Sequence, residues 1–284
     1  MDIKGISELY DQGDLSSALT HAKTFVRDNP ESNEGRSLLL QFYLFVGEVD
    51  KAISQLTILE KEYQDDLPSF MTLKVMAEML KADNQRRAFF SSLTTMPALN
   101  EAHEAHEAHE AFLQPSFALM KGVADGSMTK DQAQELLADR PQPLFECKSG
   151  EETLTGELIE PDDLTAFALE VFVANQGYAW LPWQEIQSIE FFPYEKPIDL
   201  LYRKAMVHLL PQDGEEAQPM HVFVPTIYAG TSSTDTQASL ARATDWDACP
   251  TTEIVTGMGQ KCWLIGDDLV PILQIQSLQR RQVS

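Results

Sequence analysis

The chain has 284 residues, and its 44 Asp and Glu against 21 Lys and Arg give a formal net charge of −23. With 43% hydrophobic residues it has enough apolar material for a core, and its length predicts one large or two ordinary domains. The acidity excludes a general nucleic-acid binder and a protein that docks on anionic lipid, because both need clustered Lys and Arg.

The N-terminal segment mixes charges into its first turns and lacks the apolar stretch of a signal peptide. The densest apolar run, residues 38–46, is far shorter than the roughly 20 residues that a bilayer requires, so no membrane insertion is predicted. Three scattered cysteines, Cys147, Cys249 and Cys262, do not form a disulfide framework or a CxxC zinc motif. We therefore expect a cytoplasmic protein.

Two halves of different composition follow each other along the chain. Residues 1–140 are rich in helix formers with apolar residues three and four apart, which predicts a helical domain. Residues 141–284 hold most of the prolines, all four tryptophans and short alternating runs, which predicts a β-rich domain. The boundary is placed at Arg140–Pro143, where two prolines stop a helix.

The helical half contains an internal repeat of 34 residues. Gly13, Leu15, Ala18 and Leu19 recur at this offset as Gly47, Val49, Ala52 and Ile53. This is the period of the tetratricopeptide repeat, a pair of antiparallel helices, in which glycine allows the tight turn and alanine lets the helices approach. A degenerate third pair is predicted over residues 70–82 and 84–93, although Lys81 stands at the glycine position.

Helical repeats of this kind offer a concave surface that suits an extended peptide or an amphipathic helix. The first helix of each pair lines that surface. The predicted partner-binding residues on these helices are Tyr10, Arg36, Leu39 and Tyr43. Each of them taken singly also fits a core position, and Arg36 and Tyr43 are favoured as contacts because they have polar tips on large bodies.

Residues 101–111 read EAHEAHEAHEA and form the most conspicuous local motif. His103, His106 and His109 are three residues apart on a predicted helix, and two such histidines can bind a divalent metal. The alternative is a short expanded repeat that forms a solvated helix, and we favour it. No metal or other cofactor is assigned.

The β-rich half alternates short strand-like runs with turns, which predicts a small, mostly antiparallel sheet or a partly open barrel. The fold class is therefore α+β, a TPR-like α-α superhelix followed by this β-rich domain. Neither half contains a GxSxG, HExxH, P-loop or GxGxxG motif, so no catalytic residue is predicted.

Several ordered motifs of the β-rich half resemble a known family. They are GYAWLPW at 177–183, DLLYRKA at 199–205, VPTIY at 224–228, LARATDW at 240–246 and GMGQKCW at 257–263. In this order they resemble the ImpE (TagJ, or SciE-type) accessory proteins of bacterial type VI secretion systems. The last motif departs from the family pattern at Lys261 and Cys262, where Arg and an aromatic residue are more usual.

The resemblance implies a non-enzymatic cytoplasmic adaptor that binds the N-terminal segment of the small contractile-sheath subunit. No catalytic residues carry over from the family. The motif residues that do carry over are interpreted as mainly structural, since Trp and Tyr bury large areas and Asp caps turns. They are Trp180, Trp183, Asp199, Tyr228, Asp245, Trp246 and Gly259.

A second hypothesis from a different class stays open. In it, the β-rich half is an enzyme-like ligand- or metal-binding domain with a polar pocket around His208, Asp245 and Lys261. This hypothesis predicts that the three side chains converge in space.

Overall fold

The structure, a computed structural model, describes residues 2–97, 105–211, 218–232 and 234–281, without the side chains of residues 105–108. Within these ranges seven helices precede the first strand and an eighth, short one lies in the second half. The helices are α1 (Ile3–Asp11), α2 (Leu15–Asp28), α3 (Asn33–Phe45), α4 (Val49–Glu62), α5 (Leu67–Ser92), α6 (Ala105–Ala124), α7 (Lys130–Ala138) and α8 (Thr236–Ser239). None of them is long and apolar enough to cross a bilayer.

The first four helices form the two repeat pairs that the 34-residue offset predicts. Gly13 ends α1 with φ +85°, and Gly47 ends α3 with φ +73°, which are conformations that cost glycine little. Equivalent backbone hydrogen bonds close the two turns. Asp14 N–H donates to Leu9 O in the first, and Glu48 N–H donates to Tyr43 O in the second. The repeat is therefore a backbone feature as well as a sequence pattern.

The predicted third pair is wrong, because α5 runs without a break through residues 67–92. Lys81 lies inside this helix and not in a turn. Lysine adopts the positive-φ conformation of Gly13 and Gly47 only at an energetic cost, whereas Lys81 and Ala82 are both good helix formers. The helix ends instead at Leu93, which has φ 47°.

The second half is built on one ten-stranded antiparallel sheet. Its order is β11-β10-β2-β1-β12-β5-β6-β7-β3-β4, and β8 and β9 form a separate hairpin. The strands are β1 (Leu144–Ser149), β2 (Glu152–Ile159), β3 (Ala168–Val173), β4 (Gly177–Pro182), β5 (Ile186–Phe191), β6 (Tyr202–Leu209), β7 (Met220–Pro225), β8 (Thr244–Ala248), β9 (Val255–Gly259), β10 (Cys262–Ile265), β11 (Asp268–Pro271) and β12 (Ile275–Arg280).

The sheet curls into a half-barrel. Trp183 follows β4 at one edge and Trp263 lies in β10 near the other edge, yet their rings meet edge to face with centroids 5.2 Å apart. Both side chains are fully buried, and the concave face around them is filled by strand residues such as Phe145 and Val207. The predicted α+β class with a partly open, barrel-like sheet is confirmed.

The helical core continues into the second half of the chain. Phe172, Trp180 and Tyr202 from the sheet belong to the same apolar cluster as Phe42 of α3 and Phe89 of α5. The predicted boundary at residues 140/141 falls between the end of α7 and the start of β1. The division into a helical domain, 1–140, and a β-rich domain, 141–284, stays a prediction, although the two halves share one apolar core.

Candidate functional site

The predicted partner-binding face of α1 and α3 is largely covered by the chain itself. The centroid of the Tyr10 ring lies 5.6 Å from that of the Phe42 ring. The guanidinium of Arg242 lies over the Tyr10 ring, 5.4 Å from its centroid. Arg242 also donates a hydrogen bond to the backbone oxygen of Tyr10 at 3.1 Å. Leu39 belongs to the same buried cluster. The second half of the chain thus occupies part of the surface that the repeat pattern offers to a partner.

The other two predicted contact residues face neighbouring helices. Arg36 donates to Gln55 Oε1 of α4 at 2.8 Å and to the backbone oxygen of Pro30 at 2.7 Å. Tyr43 has the ammonium groups of Lys23 and Lys51 near its ring, at 5.5 and 5.8 Å. Contact of these residues with a partner stays a prediction, and reaching them requires displacement of the chain's own side chains.

An exposed apolar stripe lies elsewhere, on the first half of α5. Leu67, Met71 and Val75 are 68%, 54% and 48% exposed and follow one another at four-residue steps. This spacing places them on one side of the helix. We call these three residues the α5 stripe. Their spacing gives no signal of exposure, because apolar residues four apart are also typical of a buried helix face.

The position of the α5 stripe in the helical stack makes it unusual. Helix α5 packs on α4 with its opposite side, and in the described part of the chain no further helix covers the stripe. Helical-repeat arrays normally end on a helix with a polar outer face, since an apolar end attracts further chains. Acidic residues surround the N-terminal end of the stripe, namely the exposed Glu62, Asp65 and Asp66. This surface therefore combines apolar contact area with negative charge.

A second feature is a buried charge cluster of Arg86, Glu170, Tyr178 and Lys261, which joins α5 to the sheet. Arg86 donates to both oxygens of Glu170, at 2.7 and 3.0 Å, and Lys261 Nζ lies 2.5 Å from Oε2. Tyr178 OH donates to Oε1 at 2.7 Å. All four residues are at most 6% exposed. Burial alone would raise the pKa of Glu170, but Arg86 and Lys261 outweigh it and hold that pKa well below its usual range.

Sequence reasoning missed Arg86, although the repeat carries a signal for it. Ala18 and Ala52, which are fully buried, let the two helices of each pair approach each other closely. A further step of 34 residues from Ala52 leads to Arg86. A large charged residue at a position reserved for alanine indicates that the packing partner has changed. That partner is Glu170 of β3.

Three of the four aromatic family-motif residues, Trp180, Trp183 and Tyr228, lie in the interior, whereas Trp246 is half-buried on β8. Trp180 Nε1 donates to Tyr178 OH at 2.6 Å, which extends the buried charge cluster, and Trp183 packs on Trp263 as described above. Tyr228 OH lies 3.1 Å from Glu160 Oε1. These contacts support the interpretation that the motif residues act as a scaffold.

The smaller motif residues shape turns. Asp199 Oδ2 accepts hydrogen bonds from two backbone N–H groups before the short 3-10 turn at Pro197–Leu200. Asp245 accepts from the N–H of Trp246 at the start of the β8–β9 hairpin. At Gly259 φ is +79°, and an added Cβ would lie 2.0 Å from the backbone oxygen of Ala243, so that only glycine fits.

The structure does not bring the hypothetical pocket residues together. Lys261 is buried on Glu170, whereas Asp245 is exposed on the separate β8–β9 hairpin. His208 lies on β6 of the large sheet, opposite Ser188. No hydrogen bond or ion pair joins any two of these three described residues. The prediction of a polar pocket formed by these three residues is therefore wrong. It fails because His208 belongs to the large sheet and Asp245 to the separate hairpin.

The histidine tract is only partly within the described residues. His103 lies outside them, and so does the side chain of His106. His109 is buried on α6, with Nδ1 2.8 Å from Glu185 Oε2 and Nε2 3.1 Å from the backbone oxygen of Trp180. These contacts hold α6 against the sheet. No cluster of three metal-ligating side chains occurs among the residues that the structure describes.

Comparisons with known proteins agree with this architecture. Residues 155–279 match the model of a protein family described as ImpE protein. The crystal structure of protein VPA1032 from Vibrio parahaemolyticus is similar over 98% of both chains, with a TM-score of 0.79 and 20% sequence identity. At that identity the likeness shows the fold alone. No curated protein matches the chain significantly.

Proposed function

We propose that this chain, whose residues 155–279 match the ImpE family model, is a type VI secretion adaptor that binds the small sheath subunit. The family is one of accessory proteins and is not known as enzymatic. The proposed ligand is the N-terminal segment of that subunit, bound as an amphipathic helix. The proposed docking surface is the α5 stripe.

The observation that carries the proposal is the exposed apolar side of the last helix in the repeat stack. A helix-in-groove contact uses apolar residues at i, i+4 and i+7 or i+8. Leu67, Met71 and Val75 present matching side chains over nine residues, whose eight steps span about 12 Å of helix. A partner helix would take the place where the next repeat would otherwise stand.

Charge selects among possible partner helices. The carboxylates of Glu62, Asp65 and Asp66 surround one end of the α5 stripe, and the whole chain carries −23. An amphipathic helix with Lys or Arg beside its apolar face therefore fits this surface better than an acidic one.

Titration calorimetry of the full chain with a synthetic N-terminal peptide of the small sheath subunit tests the proposal. Met71→Glu places a charge in the centre of the stripe and keeps a good helix former, so we expect binding to weaken at least about tenfold. Thr24→Glu adds the same charge to the exposed side of α2 and serves as the matched control.

Equal loss in both variants, or full binding by Met71→Glu, would remove the α5 stripe as the docking surface. Absence of binding to any sheath-subunit peptide by the folded wild-type chain would contradict the proposed function itself. Circular dichroism of each variant shows that the comparison is made between folded proteins.

A further inference from the structure

A pocket of about 270 Å³ lies beside the buried charge cluster, between the C-terminal part of α5 and the loops that follow β2 and β7. Its walls carry Phe90, Asp162, Thr165, Glu170, Tyr228 and Thr256. The exposed Ala229 and Gly230 also line it. The proposed adaptor function makes no use of this pocket.

The charges around the pocket do not balance. Asp162 and Glu170 line the pocket, and the neighbouring Glu160 and Asp163 are also buried. Arg86 and Lys261 both bind Glu170, and Arg140 pairs with Asp163, so within the described residues no ion pair reaches Glu160 or Asp162. A buried carboxylate without a paired cation is costly, so Asp162 is a position where a bound cation would lower the free energy.

Asp162 is the carboxylate on the pocket wall that lacks a cation. Its Oδ1 accepts the N–H of Leu164 at 2.9 Å, and its Oδ2 accepts the N–H of Gly257 at 3.0 Å. A carboxylate has about four acceptor positions, which leaves room for two further donors. Backbone amides orient the group but carry no net charge to neutralise it.

Thr165 provides a second and independent indication of a ligand. Its side chain lines the pocket and is only 3% exposed, yet its hydroxyl oxygen has no hydrogen-bond partner. Buried hydroxyl groups are normally hydrogen-bonded, because an unmade bond costs free energy. A ligand that donates to or accepts from this hydroxyl would remove that cost.

The raised pKa values of Glu160 and Asp162, the two carboxyl groups without a paired cation, are consistent with a missing positive charge. Burial raises the pKa of Glu160 to about 7, and Lys261 offsets this only in part. Burial also raises the pKa of Asp162, against the effect of its two backbone donors. A cation in the pocket would move both values back toward their ordinary range.

We propose that this pocket binds an organic cation, an alkylguanidinium or alkylammonium group, paired with Asp162 and hydrogen-bonded to Thr165. A metal ion fits less well, because the described residues supply no cluster of three ligating side chains and Phe90 and Leu164 make part of the wall apolar. The volume lies just below the usual range of small-molecule sites, which suits a group the size of a Lys or Arg side chain.

Calorimetric titration of the full chain with butylguanidinium chloride tests the proposal, with butylurea as the uncharged probe of the same shape. We expect saturable binding of the cation in the millimolar range and at least about tenfold weaker binding of the urea. Asp162→Asn should weaken binding of the cation at least about tenfold, and Thr165→Val should weaken it severalfold. Glu190→Gln removes an exposed carboxylate on β5 and should change nothing.

Several results would overturn the proposal. These are no saturable binding to the folded wild-type chain, equal affinity for both probes, or unchanged affinity in Asp162→Asn and Thr165→Val. Thr165→Val replaces one side chain by another of equal shape, so it keeps the test informative where Asp162→Asn lowers stability.

A competition arm distinguishes the two sources of such a cation. If the sheath-subunit peptide displaces butylguanidinium, and the same peptide with Gln in place of Lys and Arg does not, a partner side chain is the occupant. If the peptide binds without displacing the probe, the occupant is a free small cation. A peptide that does not bind at all contradicts the proposed function but leaves the result with butylguanidinium standing, so the two failures are distinguishable.

Discussion

Glu170 is the residue on which the connection between helices and sheet depends most. It accepts hydrogen bonds from Arg86 of α5, from Lys261 before β10 and from Tyr178 of β4. Each of these charges alone would lose much of its hydration free energy on burial. The cluster is stable because each charged group has a partner of opposite sign within hydrogen-bond distance.

Glu170→Gln should lower the free energy of unfolding by about 3–5 kcal/mol, because it leaves Arg86 and Lys261 buried without an anion. Urea denaturation at neutral pH measures the change. Glu190→Gln makes the same chemical change at an exposed position of β5 and should stay within about 0.5 kcal/mol of wild type. Equal stability of both variants would show that Glu170 does not hold the halves together.

Glu160 makes stability depend on pH in the opposite direction from a typical carboxylate. Burial raises its pKa from 4.5 to about 7 in the folded chain. Between these values the folded protein binds more protons at this group than the unfolded chain does, so the free energy of unfolding falls as pH rises. The contribution is present below about pH 4.5 and is lost by about pH 7.

Glu160→Gln removes this titration. We expect the stability difference between wild type and variant to shift against the wild type by up to about 3 kcal/mol between pH 4.5 and 8. Urea denaturation over a pH series, in buffers free of organic amines, measures it, and the comparison cancels the other titrating groups. A difference that does not vary with pH would contradict the raised pKa.

At the scale of elements, α5 is the helix that departs from the repeat. Its first half packs against α4 and carries the α5 stripe. Its second half packs against β3 and β4 and contributes Arg86 to the buried charge cluster. A turn at Lys81, as in the first two pairs, would separate these two functions. Because α5 is continuous, the α5 stripe and Arg86 of the buried charge cluster lie on one helix.

Lys81→Gly tests whether this helix is continuous in solution. In a helix interior glycine costs about 1 kcal/mol relative to alanine, whereas at a turn of positive φ it would stabilise. We expect Lys81→Gly to be less stable than Lys81→Ala by about that amount in thermal or urea unfolding. Alanine is the matched control because it removes the same exposed side chain and its ion pair with Glu78. A more stable glycine variant would indicate a turn at residue 81.

At the scale of the whole molecule, we expect charge to govern the approach of the proposed partner. The net charge of −23 is spread over both halves, so the field attracts basic segments from a distance and repels nucleic acid and anionic membranes. Short-range apolar contact then determines where a segment docks. Electrostatic steering of this kind acts mainly on the association rate.

Raising the ionic strength from about 0.05 M to about 0.5 M should therefore slow association of the sheath-subunit peptide several-fold and change its dissociation much less. Stopped-flow fluorescence with a labelled peptide measures both rates. A peptide with its basic residues replaced by Gln is the control and should show little dependence on salt. Identical salt dependence of the two peptides would exclude steering by the acidic chain.

Local patterns predicted much of the fold. Gly13 and Gly47 identified the two repeat turns, because a backbone with positive φ selects glycine through nearest-neighbour sterics. Strand alternation indicated the antiparallel sheet for a similarly local reason. The predicted turn at Lys81 was wrong, because the 34-residue offset does not override the preference of lysine for a helical backbone.

The sequence by itself determined the two repeat pairs, the α+β class and the likeness to the ImpE family, since each depends on residues close together along the chain or on ordered motifs. Only the tertiary structure decided which surfaces stay open. Tyr10 is covered by Arg242, which is 232 residues away, whereas Met71 remains exposed. Arg86 meets Glu170 across 84 residues. Periodicity shows which side of a helix is apolar, but what covers that side depends on how distant segments pack, and no local pattern records this.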